Sequence, residues 1–115
     1  VTRDVALHQA AQVAAIVAAA FTGDLALLGR AIDDRIAEPA RGPMLTGFVE
    51  AKRAALRAGA LGCSISGSGP SAFALVASEM SGERVAIAMR EAYSGLGIAC
   101  RTRIADPDLQ GARPQ

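Results

Sequence analysis

The sequence predicts an α+β domain: an antiparallel sheet with helices on one face, in the order helix-helix-helix-strand-strand-helix-strand. Three observations carry this. Apolar residues recur at helical spacing through the first half of the chain. After Gly59 the pattern changes to short runs of strand type around a glycine-rich turn. Finally, 115 residues that are 51% apolar suffice for one core and leave no room for two. The size-scaling rule gives a folded surface of about 5,900 Å² against about 17,000 Å² extended, enough burial without disulfides or a metal.

Each element has its own signal. Over residues 4–21, Leu7, Ala10, Ala11, Ala14, Val17, Ala18 and Phe21 share one helix face, and Val13, Ile16 and Ala20 widen it. Such a helix is expected to be covered on more than one side. Gly23 closes it and Asp24 caps the next. Leu25, Leu28, Ile32 and Ile36 mark a second helix, stopped by Pro39, with Asp33 and Asp34 on its polar face. A connector, residues 38–43, leads to a third helix over about 44–58. Leu45, Phe48, Val49 and Leu56 are expected inward there, with Glu50, Lys52, Arg53 and Arg57 outward. Residues 60–66 and 71–77 read as two strands around Gly67-Ser68-Gly69-Pro70. A fourth helix starts at Ser81 and keeps helical spacing through Val85, Ala88, Met89, Ala92 and Tyr93 to about Ser94. Ile98, Cys100, Thr102 and Ile104 then alternate with Ala99, Arg101 and Arg103, the pattern of a half-exposed strand. The domain is set at 1–105 and a flexible tail at 106–115. Three strands leave an open edge, which a strand from upstream is expected to cover. The chain opens on Val1 directly into a helical pattern and reads as a piece of something longer.

Composition excludes several functions. Twelve Lys and Arg against eleven Asp and Glu leave a net charge of +1, too even for a domain that binds phosphate backbones or acidic membranes. The aromatics are Phe21, Phe48, Phe73 and Tyr93, too few for a base-stacking platform. Cys63 and Cys100 have no second cysteine or histidine at metal spacing and read as free thiols in strands, so no metal site is expected. The longest apolar run, Val13 to Phe21, is too short to span a bilayer.

One segment carries chemistry, Gly62 to Leu75. A Walker A loop would need Gly-Lys-[Ser/Thr], and no lysine is present there. A dinucleotide fingerprint would need a helix after its glycines, where a strand is expected. A nucleophile elbow would need Gly-x-Ser-x-Gly, which neither Ser64 nor Ser68 satisfies. Two readings stay open: a plain hairpin turn, or a concavity of bare N–H groups that holds anionic oxygens, aided by the hydroxyls of Ser64, Ser66, Ser68 and Ser71.

Residues 59–75, Gly-Ala-Leu-Gly-Cys-Ser-Ile-Ser-Gly-Ser-Gly-Pro-Ser-Ala-Phe-Ala-Leu, closely resemble the third conserved motif of the GHMP kinases. That family is named for galactokinase, homoserine kinase, mevalonate kinase and phosphomevalonate kinase. Asp34-Arg35-Ile36-Ala37-Glu38-Pro39-Ala40-Arg41 and the following Leu45-Thr46-Gly47-Phe48 are most similar to its homoserine kinase branch. The resemblance runs from about residue 4 to about residue 104 and covers the family's C-terminal domain alone. It implies a ferredoxin-like α+β fold and an N-terminal kinase domain of the same polypeptide as partner. That domain carries the phosphate loop and binds most of the ATP and Mg²⁺. It further implies cytoplasmic phosphorylation of the L-homoserine hydroxyl in threonine synthesis, with room for a homodimer.

For site residues the resemblance implies Arg41 as a clamp on the amino-acid carboxylate, and Ser64, Ser66, Gly67, Ser68 and Gly69 as the glycine loop near the phosphates. Positioning and electrostatics dominate phosphoryl transfer, so a rigid loop suits it. The isolated chain is expected to be inactive, and no nucleophile or general base is assignable within it. His8 reads as a surface or interface histidine with Asp4 in helical reach, and Arg101 and Arg103 as solvated. Two other readings remain: a non-catalytic ligand-binding or regulatory module whose glycine hairpin is only a turn, and a GHMP kinase with a different alcohol substrate.

Overall fold

The computed structural model describes residues 1–114. Helix α1 (Arg3–Thr22) starts at Thr2, whose hydroxyl accepts the Val5 N–H, and ends at Gly23 with φ 70°. Asp24 Oδ1 accepts the Leu27 N–H at 2.9 Å and opens α2 (Leu25–Ala31), so both caps fall where the sequence sets them.

The second helix stops eight residues short of Pro39. Asp34 intervenes: its carboxylate accepts the N–H groups of Ile36 and Ala37 at 2.8 Å and of Glu38 at 3.1 Å. One side chain thereby satisfies the amides that open a new short helix, α3 (Ala37–Arg41). Pro39 lies in the first turn of α3, where a missing N–H costs nothing. Asp33 and Asp34 therefore sit in a link between helices, not on a helix face.

A 3-10 turn (Gly42–Met44) leads into α4 (Phe48–Arg57), which Gly47 at φ 85° delays by four residues. The buried face of α4 is Phe48, Ala51, Ala54 and Ala55, whereas Val49 and Leu56 are 38% and 44% exposed. The small alanines let α5 (Glu79–Ser94) and the sheet approach closely, and that rotates the larger aliphatic residues outward. Strands β1 (Gly62–Ile65) and β2 (Ala72–Leu75) pair antiparallel with Gly62 opposite Leu75 and Ile65 opposite Ala72. Bonds from Leu61 N–H to Leu75 O and from Ser66 N–H to Ser71 O, both 2.8 Å, extend the pairing at each end. Helix α5 starts before Ser81: Ser78 is the N-cap, and it exchanges hydrogen bonds with Ser81 in a capping box.

The α+β class stands, as helices on an antiparallel sheet, but the expected third strand does not form. Residues 98–104 make no ladder bond and run beside α5 instead, with the Ile98 N–H on Tyr93 O and Arg90 Nη1 donating to Thr102 Oγ1. Cys100 is accordingly half-buried outside any strand. Residues 106–114 are exposed without helix or strand, and the last residue of the expected tail, Gln115, lies outside the described residues.

The core lies between α4, the sheet and α5, centred on Ala55, Cys63 and Val85. On its other side β1 meets α2 backbone to backbone. A Cβ added to Gly62 would stand 2.8 Å from Gly29 O and 3.0 Å from Ile32 Cβ, so both glycines are required by the close approach.

Helix α1 packs on α2, and the stripe expected to face inward is outside: Leu7, Val17 and Phe21 are 58%, 50% and 89% exposed. The buried residue of α1 is Ala19. By length and composition α1 suffices to cross a membrane, with mean hydropathy 1.5, because His8, Gln9 and Gln12 interrupt the apolar run without lowering its average much. Two of them are tied to the segment that follows α2. His8 Nε2 lies 2.8 Å from Asp33 Oδ2, a partner remote in sequence, and Gln9 Oε1 accepts the Arg35 N–H at 3.0 Å.

Candidate functional site

The hairpin joining β1 to β2 reverses over Gly67-Ser68-Gly69-Pro70, closed by a hydrogen bond from Gly69 N–H to Ser66 O at 3.2 Å. Gly67 and Gly69 have φ 62° and 80°, in the left-handed region that side chains avoid. A Cβ at Gly67 would meet nothing within 4 Å, so the tip is open on that side, whereas at Gly69 it would strike Leu45. Ser66, Gly67 and Ser68 are exposed and Gly69 is half-buried. The N–H groups of Gly67 and Ser68 make no hydrogen bond among the described residues. Such a run of free donors on a glycine turn is a suitable seat for anionic oxygens.

Arg41, at the end of α3, lies beside this tip. Its Nη1 donates to Ser68 O at 3.4 Å, a long contact that leaves most of the guanidinium exposed. Residues far apart in sequence, Arg41 and the glycine turn, thus share one surface. Ser64 does not join them. It is buried in β1, and its hydroxyl donates to Glu38 Oε2 at 3.0 Å.

Beneath the exposed residues lies an ionic cluster that sequence reasoning missed. Lys52, expected outward on the third helix, turns to Glu38 and pairs through its ammonium with Oε1. The signal was present in part, since Glu38 belongs to the Glu-Pro-x-Arg segment, but nothing local marks Lys52 as its partner. Beside them Cys63 is 1% exposed, and burial pushes its thiol up to about 11, opposed by the Lys52 charge and reinforced by Glu38. Glu38 and Lys52 also line a cleft of about 380 Å³ between α3 and α4, floored by Pro39, Phe48 and Leu56. Among the described residues no three carboxylate, histidine or cysteine side chains converge as a metal site would require.

The family described as GHMP kinases C terminal matches residues 13–95. A homoserine kinase of Chlorobium phaeobacteroides is 50% identical over 88 residues, 76% of this chain and 28% of that protein. The homoserine kinase of Arabidopsis thaliana is 47% identical over 87 residues, 75% of this chain and 24% of that protein. The crystal structure of a homoserine kinase from Cytophaga hutchinsonii superposes with a TM-score of 0.82 at 43% identity, over 84% of this chain and 30% of that one. The chain thus spans 24 to 30% of the length of these relatives. With the fold, the glycine hairpin and the matched span in agreement, the chain belongs to the GHMP kinase family and represents its C-terminal domain.

Proposed function

We propose that this chain is the C-terminal domain of an ATP-dependent kinase that phosphorylates the side-chain hydroxyl of L-homoserine, in the cytoplasm and in threonine synthesis. The observation that supports this best is the juxtaposition of Arg41 with the glycine turn, in a chain 50% identical over 88 residues to a homoserine kinase. The guanidinium offers a planar fork for the substrate's carboxylate, while the free N–H groups of Gly67 and Ser68 face the phosphates. The phosphate loop, the reacting groups and the Mg²⁺ ligands are assigned to the N-terminal domain of the same polypeptide. Mg²⁺, when bound with ATP, neutralises charge on the transferred phosphoryl group.

Surface area supports a missing partner of this kind. The chain exposes 7986 Å², against about 5,900 Å² for a compact protein of its mass. The surplus includes the apolar outer face of α1 as well as the exposed residues 106–114.

The test is Arg41→Ala in the full-length enzyme. A charge-assisted guanidinium–carboxylate contact contributes about 1.5–3 kcal/mol, so kcat/KM for homoserine should fall about 10- to 150-fold. The ATP KM should stay within twofold, and Arg41→Lys should recover only part of the loss. A wild-type enzyme without homoserine-dependent ATP turnover would refute the kinase reading. Equal penalties on homoserine and on an analogue lacking the carboxylate would remove Arg41 from the site. The 115-residue chain alone should show no turnover and no micromolar affinity for ATP by calorimetry.

A further inference from the structure

We infer that Glu38 is the positioning residue of this site: its carboxylate, divided between Lys52 and Ser64, sets where Arg41 stands relative to the glycine turn. The inference rests on the homoserine kinase reading for its catalytic consequence, though not for its geometry.

Both carboxylate oxygens are committed, and to different elements. Oε1 pairs with Lys52 on α4, and Oε2 accepts the Ser64 hydroxyl on β1 at 3.0 Å. Two partners on separate elements fix the plane of the group as well as its place. The side chains of Glu38 and Lys52 are 17% and 25% exposed, so the pair is shielded from the screening that weakens surface ion pairs.

What is fixed in this way is α3, a helix of five residues too short to hold itself. Asp34 secures its first turn through three backbone N–H groups, and the Glu38 side chain fastens that same turn to α4 and β1. Arg41 leaves the same helix one turn later and reaches Ser68 O at 3.4 Å. Ser64 lies on the strand that runs directly into the turn carrying Ser68. The Glu38–Ser64 bond and the Arg41–Ser68 contact therefore join the same two pieces of chain, the first inside and the second at the surface. The outer contact is long and exposed and cannot set the geometry unaided; the inner one can.

Both Glu38 oxygens are taken by Lys52 and Ser64, so it acts through Arg41, which makes non-additivity its signature. In the full-length enzyme Glu38→Gln should raise the homoserine KM about 10-fold and leave the ATP KM within twofold. In an Arg41→Ala background the same change should add less than twofold. Lys52→Arg should remain near wild type, and Lys52→Met should reproduce Glu38→Gln. Multiplying effects of Glu38→Gln and Arg41→Ala, or equal rises in both KM values, would overturn the proposal. If Glu38→Gln does not fold, Ser64→Ala and Lys52→Met carry the same cycle.

A second arm needs no catalysis. In the ¹⁵N-labelled full-length enzyme the Arg41 guanidinium resonances should be distinct and should move to the free-arginine position in Glu38→Gln. A resonance that stays in place overturns the positioning role even where turnover falls. Absent homoserine turnover in the wild type refutes the kinase reading alone, and the resonance still decides the positioning role.

Discussion

Alanine at Gly67 and alanine at Gly62 should fail in opposite ways, and the contrast isolates what the glycine turn does. At Gly67 the backbone sits at φ 62° and an added Cβ meets nothing within 4 Å. The cost is conformational alone, about 1–2 kcal/mol for an L-residue in the left-handed region. For a domain of this size that lowers Tm by about 4–8 °C. At Gly62 the φ is ordinary, but the Cβ would stand 2.8 Å from Gly29 O and 3.0 Å from Ile32 Cβ. Helix α2 must shift to admit it, an overpacking penalty of about 1–3 kcal/mol or more.

Stability alone would rank Gly62→Ala as the worse change. Activity should rank them the other way. A methyl group on the open side of the tip occupies the space where phosphate oxygens would approach Gly67 and Ser68. The full-length Gly67→Ala enzyme should therefore lose at least 10-fold in kcat/KM at a temperature where it is fully folded. Gly62→Ala should lose activity only in step with its folded fraction. Thermal unfolding by circular dichroism, paired with a coupled ADP-release assay, reads both quantities. If Gly67→Ala is as active as wild type, or loses no more than Gly62→Ala, the turn is only a hairpin and the anion-seat argument fails.

Phe48→Ala should destabilise the chain by about 3–5 kcal/mol in urea unfolding, since the ring is 2% exposed in the base of α4. Cys63 should resist alkylation at pH 8, because a thiol near 11 carries about 100-fold less thiolate there than one at the ordinary value of 9.0. The same shift fixes a sign for stability. Its contribution is complete below pH 9 and is lost as pH rises toward 11, so Cys63→Ala should flatten the alkaline limb of the stability profile. Val17→Asp on the exposed stripe of α1 should change the stability of the 115-residue chain by less than about 0.5 kcal/mol. In the full-length enzyme it should lower Tm measurably, and an unchanged Tm would show that no partner domain covers that face.

Much of the fold was legible because its signals are local. Gly23 with Asp24, the hairpin glycines and the periodicity of α5 each act within a few residues, and each appears where the pattern sets it. The misreadings share a different cause. Asp34 looks like the polar face of a continuing helix, and only its hydrogen bonds show that it opens a new one. Residues 98–104 alternate as a strand would, but alternation records a half-buried extended chain and not a partner to pair with. The stripe on α1 has the spacing of a buried face and nothing in this chain to bury it. Within the candidate site, the glycine turn and Arg41 were singled out by the family resemblance. Glu38 with Lys52 was not, because a carboxylate and an ammonium fourteen positions apart carry no mark of being neighbours.

The hairpin register bears on descent rather than on chemistry. Gly62 opposite Leu75 and Ile65 opposite Ala72 fix how many residues separate the strands. A single deletion between Ser66 and Ser71 would slide β2 by one position, and side chains alternate faces with every residue. Ala74, opposite Cys63 and packed on the core, would exchange faces with its neighbours. An inherited change of loop length is thus a change of core, whereas a change of residue at an exposed position such as Ser68 disturbs no packing. In related chains, the spacing from the first strand to the second should consequently persist longer than the serines between them.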